Sequence, residues 1–146
     1  RIYSSPEHKA ILTAKLTAAH MNIDYQIQMG LQEQNNDGMG WFESAEDFKA
    51  AVQNLFEQPT EAVFGPETAV EAANRFGRTL QTIAKNYTAD EIIAIVTHGR
   101  VMTSLLQANG AVPEGAVPFW RSLTFPDCVT ISWPKIEIVG RKNFPF

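Results

Sequence analysis

The stretch from Glu91 to Val96 is almost continuously branched aliphatic, and it runs straight into Thr97-His98-Gly99. Such a run has the composition of a strand buried on both faces, as found where helices cover a parallel sheet from both sides. Gly99 permits a sharp turn, and Val101-Met102-Thr103-Ser104-Leu105-Leu106 resumes with helical spacing. His98 is thereby delivered to a strand-to-helix turn at the carboxyl end of the strand, the crevice in which open α/β sheets collect ligands. A lone histidine at such a place is as often a hydrogen-bonded structural residue. Its meaning depends on what else the chain brings there.

The remainder alternates strand and helix signals without internal repeats or low-complexity tracts. Ile2-Tyr3 reads as the tail of a short strand. Ser5-Pro6 opens a helix, with serine as N-cap and proline at the first helical position; it runs to about Met21 and presents Ile11, Ala14, Ala18 and Met21 along one side. Tyr25 to Met29 reads as a second strand, and Gln34 to Gly40 as a loop. Ser44 to about Phe56 is a helix begun by a serine cap with Asp47 three residues on, ended by Pro59. Gly65-Pro66-Glu67 begins a longer helix in which Val70, Ala73, Gly77, Leu80 and Ala84 keep helical spacing. Near the end, Val129, Ile131 and Trp133 alternate with polar neighbours, as do Ile136 and Ile138 beyond a Pro134 turn, the pattern of an antiparallel edge hairpin. The expectation is one α/β domain over residues 1–146: a three-layer sandwich with a mostly parallel central sheet flanked by helices and an antiparallel edge strand or hairpin.

Charge and composition then narrow the chemistry. The 146 residues, 45% hydrophobic and 19% charged, suffice for one substantial core. A net charge of −4 argues against a general nucleic-acid binder while leaving room for a local cationic pocket for a small anion. The single Cys128 excludes a disulfide framework, and three scattered histidines give no metal-ligand spacing. No apolar run reaches membrane-spanning length, and the first residues lack a signal peptide's hydrophobic stretch, so no membrane partner is expected and the cytoplasm is the default compartment.

A second place of interest is Ser4-Ser5-Pro6-Glu7-His8-Lys9-Ala10. Free amides in the first helical turn and the helix dipole favour a bound anion there, and Lys9 adds a cation one turn in. A lysine near a helix N-terminus costs about 0.3–1 kcal/mol unless a carboxylate or ligand anion compensates. Glu7 is the nearest such carboxylate, and a solvated Lys9–Glu7 pair is the plain alternative.

Taken together these motifs resemble the histidine phosphatase superfamily, also called phosphoglycerate-mutase-like. Ser4-Ser5-Pro6-Glu7-His8-Lys9-Ala10-Ile11-Leu12-Thr13-Ala14 is similar to that family's Ser-Ser-Pro-x-x-Arg-Ala-x-x-Thr-Ala, with lysine for arginine, and Val96-Thr97-His98-Gly99 is similar to its late Val-Ser-His-Gly. Between them lie Leu31-Gln32-Glu33 for Leu-x-Glu, Gly65-Pro66-Glu67-Thr68 for a looser Gly-Gly-Glu-Ser, and Arg75 where an arginine commonly follows.

The resemblance implies a phosphatase that hydrolyses small phosphate monoesters through a phosphohistidine, with no metal or other cofactor. By that implication His98 is a catalytic, phosphate-binding histidine, Lys9 a phosphate-binding cation, and Glu33 the acid that protonates the leaving oxygen, with Asp37 and Glu43 as alternatives. Phosphoryl transfer depends mainly on positioning and on positive charge around the equatorial oxygens. Lysine keeps that charge and loses the planar fork of arginine. The partner implied is a small phosphorylated substrate or inorganic phosphate, and a homodimer is allowed. The family's nucleophile lies in an Arg-His-Gly strand that this chain does not contain; His8 and His20 fall within the first helix. The expectation is therefore a truncated form whose nucleophile lies upstream, inactive as given and with a defect in its core. The alternative is a non-catalytic phosphate-ligand-binding or scaffold protein of the same fold. Phe119-Trp120-Arg121, Arg100 and Trp41-Phe42 read as core, solvated and anchoring residues in preference to site residues.

Overall fold

The computed structural model describes residues 1–143. In chain order it comprises β1 (Ile2–Ser4), α1 (His8–Met21), β2 (Tyr25–Ile27), α2 (Ala45–Glu57), α3 (Ala69–Ala84), β3 (Ala94–Val96), α4 (Gly99–Ala108), α5 (Ala116–Arg121), β4 (Asp127–Ser132) and β5 (Glu137–Asn143). The first three strands form a parallel sheet in the order β2-β1-β3, with Ile2 opposite Tyr25 on one side and Ala94 on the other. This is the α/β architecture that the alternation of signals predicts, with β4 and β5 as an antiparallel hairpin.

Side-chain alternation along β1 sends Ile2 to one face and Tyr3 to the other. Ile2 packs with Ala14 and Ala18 of α1, whereas Tyr3 joins the main core of Phe76, Leu80, Val101, Leu105 and Leu106 from α3 and α4. The inward row of α1 is Ala10, Ala14 and Ala18; of the side read from the sequence Ala14 and Ala18 are buried, while Ile11 lies at the margin and Met21 outside. Small side chains let the helix lie close on the sheet, and Met21, 58% exposed, is left outside. A second cluster of Val52, Leu55, Phe56 and Phe64 sits beneath α2.

Helix starts depart from the sequence reading for local reasons. Ser5 Oγ accepts the Glu7 amide at 3.2 Å, so Ser5-Pro6 forms a turn outside the helix and Glu7 becomes the N-cap residue. Gly65-Pro66-Glu67 likewise precedes α3, which begins with a capping box: Thr68 Oγ1 accepts the Glu71 amide and Glu71 returns a carboxylate to the Thr68 amide. Ser44 does cap α2, accepting from Asp47 as its spacing predicts.

The expectation of a strand buried on both faces is corrected. Only Ala94–Val96 is strand; Ile92 is 89% exposed, Ala94 is exposed, and Ile95 and Val96 are half-buried. The physical reason is that among the described residues β3 pairs with β1 alone, so no strand extends the sheet beyond it. The hairpin forms a sheet of its own, fastened elsewhere: Arg141 of β5 donates to the Ser122 carbonyl and to Asp127 and lies over the Phe119 ring.

Candidate active site

The Ser5 amide donates to the Val96 carbonyl at 2.9 Å, so β1 and β3 end level and their following turns lie side by side. His98, in extended conformation, is the N-cap residue of α4 and is buried. Its Nε2 lies 2.7 Å from Ser5 Oγ and 3.2 Å from Glu7 Oε1. The other oxygen of Glu7, Oε2, is 3.4 Å from Lys9 Nζ. Lys9 and His98, far apart in sequence, thus meet on one carboxylate, one cationic or polar nitrogen to each oxygen. The Glu33 amide donates a further hydrogen bond to Glu7 Oε1 at 2.7 Å.

Glu33 sits differently from Glu7. Its carboxylate accepts the backbone amides of Gln34, Arg100 and Val101 at 2.9, 3.1 and 2.8 Å, placing negative charge on the N-terminus of α4, where the helix dipole favours it. Leu31, which precedes it, is fully buried, and its carbonyl accepts Thr97 Oγ1–H at 2.9 Å, tying the two motifs together. Arg75 organises the same segment. It pairs with Glu67 at 2.7 Å and donates to the carbonyls of Gly30, Gln32 and Glu33.

Burial pushes the His98 imidazole below the ordinary histidine value of 6.5, and Lys9 and Arg100 act in the same direction against the carboxylates of Glu33 and Glu7. His98 is therefore neutral at neutral pH. For Glu7, burial pushes upward, yet the Glu33 amide, His98 and Lys9 outweigh it and hold the carboxyl below 4.5.

A cleft of about 850 Å³ opens on this assembly and is bordered by Glu7, Lys9, Glu33, Asp37, Arg78 and Arg100. Of the alternative acids, Asp37 borders the cleft, while Glu43 is not among its lining residues. Among the described residues no three His, Cys, Asp or Glu side chains gather as a metal site.

Two residues escaped the sequence reading. Arg100, read as solvated, is largely enclosed: its guanidinium lies 5.0 Å from the Phe64 ring centre, and Nη2 donates to the Gln34 carbonyl and Asn36 Oδ1, both at 3.2 Å. Gln34, read as loop, is buried with Nε2 donating to the Phe64 and Glu67 carbonyls. Neither carries a periodic signal, because both are buried by residues remote in sequence. Trp41-Phe42 divides its roles: Phe42 stacks on Phe64, while Trp41 is wholly exposed. Phe119 is core, Trp120 packs on Phe48 and Phe56, and Arg121 donates to Gln53. His8 and His20 are exposed on α1.

Comparison with known proteins agrees with this geometry. No curated protein matches the chain. Among solved structures it is similar to a mutant phosphoserine phosphatase from Entamoeba histolytica in complex with phosphoserine, at 17% identity and a TM-score of 0.60, over 84% of this chain. The chain spans 61% of that protein's chain, and at this identity the likeness speaks for the fold. Residues 1–131 match the family model of the histidine phosphatase superfamily (branch 1). With a shared fold, a family match over most of its length and the serine and histidine turns side by side, this chain belongs to the histidine phosphatase superfamily.

Proposed function

We propose that Lys9 and His98 form the seat for the phosphoryl group of a small phosphate monoester, and that the complete protein hydrolyses such esters through a phosphohistidine. The observation that supports this reading is the convergence of both side chains on the single carboxylate of Glu7. A cation, an imidazole and the Glu33 amide surround that position, the arrangement that favours charge on phosphoryl oxygens.

The nucleophile in this reading is a histidine on an upstream strand that seats along the free edge of β3. Two facts support it: among the described residues β3 pairs only with β1, and the solved structure it is similar to is of a longer chain. The upstream histidine nitrogen bonds to phosphorus as the ester P–O bond breaks, the departing alkoxide takes a proton from a carboxyl group, and water then cleaves the P–N bond to release phosphate. Glu33 is the proposed donor of that proton. To act, it releases an amide at the start of α4 and turns toward the cleft that it borders; Asp37, on the same cleft, is the alternative donor.

A second reading, anion binding without turnover, has one observation in its favour. Among the described residues His8 and His20 face solvent, which leaves His98 as the histidine at the seat.

The two readings separate in an assay of the longer protein that supplies the upstream strand. The enzyme reading expects hydrolysis of p-nitrophenyl phosphate without added metal, inhibition by vanadate, and a loss on the order of a hundredfold or more in His98→Ala. Unchanged turnover in that variant overturns the assignment. The 146-residue chain alone is expected to show no turnover, and robust activity from it would place the nucleophile elsewhere.

A further inference from the structure

The feature that the proposed reaction leaves unexplained is Glu7 itself. An anion seat needs vacant donors, yet here Glu7 fills it. One carboxylate oxygen is 3.2 Å from His98 Nε2 and takes the Glu33 amide, and the other is 3.4 Å from Lys9 Nζ. These are the contacts that two oxygens of a tetrahedral anion would make. The Glu7 side chain is 34% exposed and borders the cleft, so unlike the enclosed Glu33 it has open solvent into which to swing.

We propose that Glu7 is an internal occupant of the anion seat: its carboxylate stands in for the ligand between Lys9 and His98, and a tetrahedral dianion enters only as Glu7 turns out or takes up a proton. This rests on the reading of the seat given above and adds a regulatory contact to it. The charged and titratable groups facing Glu7 are Lys9 on its own helix, His98 at the N-cap of α4 with Arg100 in the first turn of that helix, and Glu33 from the segment after β2. While the seat is free of ligand, Lys9, His98 and the Glu33 amide all favour the ionised carboxyl. Once a dianion takes those partners, Glu7 stands beside like charge and beside Glu33, and the balance turns toward protonation. Ligand binding is therefore coupled to proton uptake at this side chain, and the seat is self-blocked at neutral pH.

Sulfate is a suitable probe because it remains a dianion across the useful pH range. Its affinity for the 146-residue chain is to be measured by calorimetric titration, alongside inorganic phosphate. Glu7→Gln keeps an oxygen for the Glu33 amide and removes the charge. It is expected to bind sulfate about fivefold tighter or more at neutral pH, with the gap to the parent closing as the pH falls toward and below 4.5. At neutral pH His98 is uncharged in both proteins, so the comparison there is free of its protonation; at lower pH the Glu7 charge favours protonated His98 in the parent alone, which adds to the closing of the gap. Glu71→Gln removes a carboxylate elsewhere on the same cleft and is expected to change affinity by less than about twofold. Equal or weaker binding by folded Glu7→Gln overturns the proposal, and so does an equal gain from Glu71→Gln, which would reduce the effect to bulk charge. If neither the parent nor Glu7→Gln retains sulfate or phosphate while both are folded, it is the reading of the seat as a phosphoryl site that fails.

Discussion

His98 shows how much a single side chain takes from its surroundings. Burial lowers its pKa from 6.5, and the unfolded chain, free of that burial, takes up its proton at higher pH. Protonation therefore favours unfolding: the stability contributed by neutral His98 is complete above 6.5 and is lost as the pH falls through the window beneath it. Urea unfolding midpoints are expected to decline as the pH is lowered from about 7.5 to about 5.5, with a flatter slope in His98→Asn. An equal slope in the variant assigns the effect to other groups. Glu7, held below 4.5, contributes stability that is present above its ordinary value and is lost at still lower pH. At this scale the sequence was legible where a residue's role follows from its neighbours in the chain. His98 after an apolar run and Lys9 one turn into a helix could be picked out in that way. Arg100 could not, because Phe64 and Phe48, which enclose it, come from segments tens of residues away.

At the scale of elements, the turn before α3 governs the cleft. Gly65 has a φ of +86°, and a Cβ there would overlap the Asn36 backbone and come within 2.7 Å of the Asn35 carbonyl oxygen. Both backbone strain and collision oppose any side chain at this position. Gly65→Ala is expected to destabilise the fold by about 1–3 kcal/mol in chemical denaturation and to displace the segment that holds Asn36 against Arg100. A variant as stable as the parent would show that the Asn35-Asn36 segment yields freely. The three helix starts read from Ser5-Pro6, Ser44 and Gly65-Pro66-Glu67 survive as elements, but two cap positions moved. Ser5 spends its side chain on the turn and on His98, and Thr68 rather than Glu67 begins α3 because only it has a partner, Glu71, at the capping-box distance. Propensity rules mark where a helix can start; the hydrogen-bond partners available in three dimensions select which start is used.

For the molecule as a whole, the proposed upstream strand has a local signature. The Ala94 amide donates to the Arg1 carbonyl, so the amide of Ile95 points the opposite way, toward the unpaired edge of β3. In the 146-residue chain that amide is expected to exchange rapidly with solvent, and in a longer protein that seats a strand along this edge it becomes strongly protected. Exchange that is equally fast in both removes the support for a strand there. The composition of Glu91 to Val96 reads as a strand covered on both sides, and the described residues do not supply that cover. Pattern reports what a segment requires of its environment, while the environment itself is set by other parts of the chain.

The clamp of Arg141 on Ser122, Asp127 and Phe119 anchors the terminal hairpin to the end of α5, and Ile136 seats it in the main core, while its backbone ladder stays separate from that of the parallel sheet. A newcomer docking along β3 therefore has no ladder to unzip and no knot to undo. A peptide carrying the complementary strand, supplied as a separate molecule, is thus expected to add to that edge in trans, its backbone hydrogen bonds and buried side chains set against the entropy of its own ordering.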